Sequence, residues 1–356
     1  VSDAYVTGFL DWLACAAGGA SEPAARAAAA GAGPVVALGA AGHVLDFDDT
    51  YLPGLAHLSA PTAPVALALG AERSATVGEV LEAYADGFEA MAAVARASHP
   101  ALYERGFHPT AVCGVVGAAV AGARLLGADR HPAVAIALLR AGGLRAAFGS
   151  DGKALQVGLA ADTGVVAARL AAHGARVPLD RAAAGFEAAY GASYAEPDSA
   201  RPAVTDNWIK AWPCCLQTHG AIEAAERARE GGLEPGATVE VAVHPISLQA
   251  AAYGPEPADG LQAKFSIPYC VALTLVNRAP RVESFREVDR EVASFAARQV
   301  RVEADPGLLE PEAILSADGR QVRVEAALGS PARPMTQAAL SAKLESLAGE
   351  RLSGAL

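Results

Sequence analysis

The chain has 356 residues, 52% of them hydrophobic and 19% charged, with a net charge of −11 at pH 7. That length predicts one large domain or two ordinary ones with a real core, and the composition excludes a disordered chain. The acidic balance, with no run of Lys or Arg, excludes nucleic acid as a partner, because phosphate contacts need a basic face.

Five cysteines, at 15, 113, 214, 215 and 270, are an odd number without C-x-x-C spacing. They predict a reduced cytosolic protein rather than a disulfide framework. No basic segment followed by an apolar core opens the chain, and the apolar stretch 111–123 is too short to span a bilayer. The expectation is a soluble, cytoplasmic protein with no membrane partner. Only four basic residues are lysines: Lys153, Lys210, Lys264 and Lys343. The first three stand beside the polar motifs described below.

From residue 3 to about 175 the periodicity is helical. Ser2 and Asp3 can cap a first helix whose apolar set is Val6, Phe9, Leu10 and Leu13, ended by Gly18-Gly19. Helices are expected over 22–31 and from 35 into the first polar motif. Thr76 with Glu79 reads as a capping box for a helix to about 97. Pro109 and Pro132 sit in the first turns of helices to 126 and 148, and a further helix covers 153–173. No strand alternation appears, so this part reads as all-α. Beyond about 205, period-two runs at 238–244, 299–303 and 321–325 alternate with helices at 217–229, 263–277 and 288–297. This predicts a small α+β domain. An amphipathic helix over 336–347 returns to the helical block.

Polar insertions interrupt the apolar background. Residues 43–57, HVLDFDDTYLPGLAH, pack three carboxylates (Asp46, Asp48, Asp49), two imidazoles (His43, His57), Thr50 and Tyr51 between apolar flanks. Ionisable groups crowded in such a setting are candidates for perturbed pKa values and hence for function. In GFHPT, His108 precedes a Pro-started helix, where the helix dipole favours a neutral imidazole able to accept a proton. GSDGKALQVG, 149–158, places Lys153 in a first helical turn, unfavourable for the dipole unless an anion is nearby. KAWPCCLQTH carries His219, and AKFSIPYCVAL carries Ser266 and Tyr269. DFDDT also fits the nucleophile motif of haloacid-dehalogenase-type phosphatases, but no buried parallel strand precedes it. The D-x-D-D motif of class II terpene cyclases needs an aromatic-lined cavity, and aromatics here are 6%.

Six segments in order, HVLDFDDT, His57-Leu58-Ser59, GFHPT, GSDGKALQVG, KAWPCCLQTH and AKFSIPYCVAL, resemble the MmgE/PrpD family. Its members include 2-methylcitrate dehydratase, cis-aconitate decarboxylase and iminodisuccinate epimerase. The resemblance implies a mainly α fold: a large all-helical domain, 1–209 with 334–356, plus an α+β lid, 210–333. It implies a homodimer, no organic cofactor and no metal. It also implies a site of Asp46, Thr50, His57, His108 and Lys153, with His219 and Tyr269 closing over it from the lid.

By the resemblance, Lys153, His57, Thr50 and His219 hold substrate carboxylate, His108 shuttles the proton, Asp46 orients a neighbouring His, and Tyr269 is an acid. The expected activity is that of a hydro-lyase, moving a proton α to a carboxylate of a small di- or tricarboxylic acid. Decarboxylation and epimerisation on the same site are the alternatives, and a catalytically inactive helical dimer that binds a ligand is the alternative of another class. Leu58 follows His57 where Pro is usual. Gln156 stands where dehydratase- and decarboxylase-like members often carry His, and the chain ends before the C-terminal helices of longer members.

Overall fold

The computed structural model describes residues 1–234 and 236–349. Pro235, inside the α+β lid expected at 210–333, and residues 350–356, inside the helical domain expected to run to 356, lie outside the described residues. The protein is mainly helical with a smaller α+β part. Its described residues divide into two compact units, one of 1–147, 151–209 and 336–349, the other within 148–150 and 210–335.

The first unit contains α1 (Asp3–Gly19), α2 (Pro23–Gly31), α3 (Pro34–Val44), β1 (Thr50–Tyr51), α4 (Ser59–Arg73), α5 (Val77–Ser98), α6 (Ala101–Glu104), α7 (Pro109–Leu126), α8 (Arg130–Leu138), α9 (Asp151–Ala172), α10 (Leu179–Tyr190) and β2 (Asn207–Trp208). The capping box of α5 is complete: Glu79 N donates to the Thr76 hydroxyl, and Thr76 N donates to the Glu79 carboxylate. The inner face of α5 buries Tyr84, Phe88, Met91 and Val94, while Val80 is only half-buried.

Helix α7 is the hub, buried along nearly its whole length. By length and apolarity α7 and α9 each suit a membrane span, longer than the apolar stretch alone predicts. Within the protein 83% of that span of α7 and 50% of that of α9 are buried.

Small residues let these helices cross closely. A Cβ on Gly117 would stand 2.6 Å from the Gly87 carbonyl of α5, and one on Gly39 of α3 would stand 2.8 Å from Gly158 Cα of α9. Only glycine permits backbones to approach so near.

Three details of this unit depart from the expected elements. The helix begun near Pro132 stops at Leu138 rather than 148, because Gly143 takes a φ of 139° and residues 143–145 instead pair with 106–108. β1 and β2 form a two-stranded antiparallel pair, Thr50 opposite Trp208, inside what reads as an all-α block. Helix α10 lies in a stretch for which no helix is expected.

The second unit holds α11 (His219–Glu230), β3 (Val239–Val243), α12 (Pro245–Ala250), α13 (Gly260–Ala263), α14 (Ile267–Val276), α15 (Arg290–Gln299), β4 (Val300–Ala304), β5 (Ala313–Ala317) and β6 (Arg320–Val324). The sheet order is β4-β3-β5-β6, with β3 parallel to β4 and the other pairs antiparallel. β5, AILSA, escapes the sequence reading because alanine and serine dilute its strand signal. Glu223 of α11 ties the unit together, accepting from Arg227, Arg333 and the Leu328 amide. The tail forms α16 (Gln337–Ala348), capped by Thr336. Leu340 and Leu344 of α16 pack on Ala14 of α1 in the first unit.

Candidate active site

The site begins where α3 ends. His43 lies in its last turn, and the chain then reverses at Asp46, whose φ of 54° is left-handed. Asp is one of the few side chains that tolerates this region. The reversal turns Asp46 and Asp48 back towards the helix end. Asp48 Oδ2 lies 2.9 Å from His43 Nδ1 and 3.2 Å from His57 Nδ1. His57 is returned by the tight loop that pairs Tyr51 with Ala56, and its backbone N donates to Thr110 Oγ1 of α7 at 3.1 Å. The first turn of α9 delivers Lys153, whose Nζ lies 2.9 Å from both His43 Nε2 and Asp46 Oδ1. His108, at the N-cap of α7, stacks at 6.0 Å on His43, which meets His57 edge-on at 4.5 Å.

The protonation pattern follows from donor inventory. A lysine ammonium can only donate, so His43 Nε2 accepts and Nδ1 keeps the proton it gives to Asp48. His43 is therefore neutral, in line with a pKa lowered by burial and by Lys153 against the pull of Asp48. Burial would raise the pKa of Asp48, but the two imidazoles that face it hold it well below the usual carboxylate range. Burial, reinforced by the positive charge of Lys153, drives His108 well below an ordinary histidine.

His57 sits between two carboxylates, its Nδ1 towards Asp48 and its Nε2 3.7 Å from Asp46 Oδ1. Nδ1 is the nitrogen nearer a carboxylate, 3.2 Å from Asp48 Oδ2, so a neutral His57 protonated there has Nε2 as its basic nitrogen. An imidazolium formed there would face a carboxylate on each side, which favours its charge.

Asp49 points elsewhere, accepting from Ser59 N, Ser59 Oγ and Asn207 Nδ2. Burial and the neighbouring charge of Asp48 push its pKa up to about 7. Thr50 is buried, and its hydroxyl has no hydrogen-bond partner among the described residues.

His43, Asp48 and His57 bring three possible metal-ligand atoms within 4.8 Å of one another. Lys153 at His43 Nε2, however, leaves a proton on the nitrogen that faces Asp48, so His43 and Asp48 stand as a hydrogen-bonded pair with His57 Nδ1 3.2 Å from the same carboxylate oxygen.

The structure thus gathers Asp46, His57, His108 and Lys153 of the residues singled out from sequence, with Thr50 on the adjoining strand. His219 and Tyr269 belong to the second unit. There His219 is fully buried, edge-on to Trp212 at 5.0 Å and beside the Cys214 thiol. Burial would raise that thiol, but Cys270, His219 and Thr218 bring it down to about 5. Tyr269 is buried and its hydroxyl accepts from Asp289 N at 3.0 Å. No disulfide joins the five cysteines, all of which are buried.

His43 and Asp48 receive no site role from the sequence reading. Their signal was present in HVLDFDD, but only the left-handed turn at Asp46 makes residues five apart meet. Gln156, noted only as a departure, touches His108 directly: its Nε2 lies 2.6 Å from His108 Nδ1.

Residues 32–198 match the MmgE/PrpD N-terminal domain, and residues 212–355 match the MmgE/PrpD C-terminal domain. The chain is 29% identical over 349 residues to a cis-aconitate decarboxylase of Homo sapiens, covering 88% of this chain and 72% of that protein. It is also 29% identical over 296 residues to a cis-aconitate decarboxylase of Mus musculus, covering 75% of this chain and 60% of that protein.

Proposed function

The chain belongs to the MmgE/PrpD family, and on that premise we propose that it is a lyase moving a proton at the carbon α to a carboxylate of a small di- or tricarboxylic acid. The observation that carries the reading is His57 held between Asp48 and Asp46, 3.2 and 3.7 Å away. That setting suits a general base. His57 Nε2 removes the α-proton, and the imidazolium is stabilised by the flanking carboxylates. Lys153 and the Thr50 hydroxyl meet the substrate carboxylate and the negative charge that grows on it as the proton leaves. In a dehydration, neutral His108 gives its N–H proton to the departing hydroxyl, so that an alkene and water form; His57 is left as the imidazolium and His108 as the imidazolate, and transfer of the abstracted proton from the first to the second restores both.

A second reading, decarboxylation, is favoured by the names of the two relatives. There the carbon–carboxylate bond breaks, CO₂ leaves, and the carbanion formed takes its proton from His108.

The test is incubation of the protein with a panel of small carboxylates, cis-aconitate and 2-methylcitrate included, in deuterated water under proton NMR. A new alkene signal with conserved carbon supports dehydration. Loss of one carbon as CO₂ supports decarboxylation, and deuterium wash-in alone supports epimerisation. Binding without any of these contradicts the enzymatic reading and favours a ligand-binding protein.

A further inference from the structure

Gln156 lies on the first turns of α9, three residues beyond Lys153, and its amide orientation is fixed by the backbone. The Leu144 N–H donates to Gln156 Oε1 at 2.9 Å, and Gln156 Nε2 donates to the Leu144 carbonyl at 3.2 Å. A peptide group read on both its donor and its acceptor admits one orientation of the amide, so the usual ambiguity between oxygen and nitrogen does not arise.

Leu144 is itself held in register. Phe107 pairs with Leu144 across a β-bridge, His108 N donates to the Gly143 carbonyl at 3.1 Å, and Arg145 N donates to the Gly106 carbonyl at 2.9 Å. The two segments that position His108 and Leu144 are thus one short ladder, and Gln156 is seated on its edge.

The second hydrogen of Gln156 Nε2 faces His108 Nδ1 at 2.6 Å. Since an amide nitrogen only donates, Nδ1 must accept, and the His108 proton is left on Nε2.

We propose that Gln156 is a positioning residue that locks His108 as the Nε2–H tautomer, making it a proton donor rather than a base. The lock stands on geometry alone. Its catalytic consequence rests on the function proposed above and deepens it by dividing the labour. His57, supported by Asp48, removes a proton, and neutral His108 gives its Nε2 proton to the leaving group or to the carbanion, becoming an imidazolate that faces the Lys153 charge until it is reprotonated. A neutral His108 agrees with the buried, cation-facing setting that lowers its affinity for a second proton. A carboxylate in place of the amide reverses the lock: it accepts from Nδ1–H and leaves the lone pair on Nε2.

The experiment is a long-range ¹H–¹⁵N correlation spectrum of the full chain labelled with ¹⁵N-histidine, near neutral pH. The His108 signals are assigned by their loss in His108→Gln. In the native protein Nδ1 is expected to appear unprotonated and Nε2 protonated. In Gln156→Glu the assignment is expected to invert, and in Gln156→Met to become a mixture, with unchanged circular dichroism in both. A native protein protonated on Nδ1, or a Gln156→Glu spectrum identical to the native one, overturns the lock.

The catalytic arm uses net product formation, followed by proton NMR, from whichever panel carboxylate the native protein turns over. Gln156→Glu is expected to lose about tenfold or more in kcat with little change in KM. An inverted tautomer with native kcat overturns the donor role. A native protein inert toward every carboxylate contradicts the proposed function while the spectrum still decides the lock.

Discussion

Lys343 Nζ lies 2.6 Å from Asp11 Oδ1 and donates to the Phe47 carbonyl at 2.8 Å, so α16 is tied at once to α1 and to the turn between Asp46 and Asp48. The ammonium also stands 4.0 Å over the Phe47 ring, and both charged side chains are almost completely buried. Removing one partner of a buried pair leaves an uncompensated charge. Lys343→Met is therefore expected to cost about 3–5 kcal/mol in urea unfolding. Asp11→Leu added to it should restore most of that loss. A single variant as stable as the native chain would show that the pair contributes nothing.

The crossing of α3 over α9 sets the His43–Lys153 contact. A Cβ on Gly158 would fall 2.4 Å from the Val36 carbonyl, so Gly158→Ala must push the helices apart. The expected loss is about 1–3 kcal/mol, the usual size for overpacking. Turnover should fall further than stability does, because His43 and Lys153 separate. Thermal unfolding alongside the deuterium assay checks both, and unchanged activity would mean that the crossing does not govern the site.

His108 carries a pKa well below 6.5 in the folded protein. As pH falls below about 6.5 the unfolded chain takes up a proton that the folded site refuses, so stability declines on acidification. The slope is about 1.4 kcal/mol per pH unit from this group. His108→Gln is expected to flatten the stability curve by that amount between pH 6.5 and 5. Parallel curves for variant and native protein would contradict a neutral His108.

Asp49 acts with the opposite sign. Its pKa is raised from 3.8 to about 7, so the folded state holds a proton that the unfolded state releases. Its stabilising contribution is complete below about pH 4 and lost as pH rises towards 7. Relative to the native chain, Asp49→Asn should gain about 1.4 kcal/mol per pH unit across that window. Chemical denaturation at pH 4, 5.5 and 7 measures it, and a constant difference would place the Asp49 pKa elsewhere.

What the sequence could disclose depended on whether the signal was local. Pro109, the Thr76–Glu79 box and the alternation in β3 are local, and each element lies within a residue or two of its expectation. The end of α8 and the β1–β2 pair depend on partners distant in the chain, at 106–108 and at 207–208, and escaped. In the site the same division holds. His57, His108 and Lys153 stand out as polar residues in apolar surroundings. The meeting of His43 with Asp48 needs the left-handed Asp46, and the hold of Gln156 on His108 needs a ladder that no periodicity announces. Lys343, the one lysine away from every motif, proved to reach the motif's backbone from 296 residues away.

The central claim is that His57, oriented by Asp48, removes the α-proton. It is tested most directly by the initial rate of deuterium incorporation into a panel carboxylate, native protein against Asp48→Asn. With the circular dichroism spectrum unchanged, the rate is expected to fall by about 10²–10⁴-fold. A rate for Asp48→Asn equal to that of the native protein would contradict it.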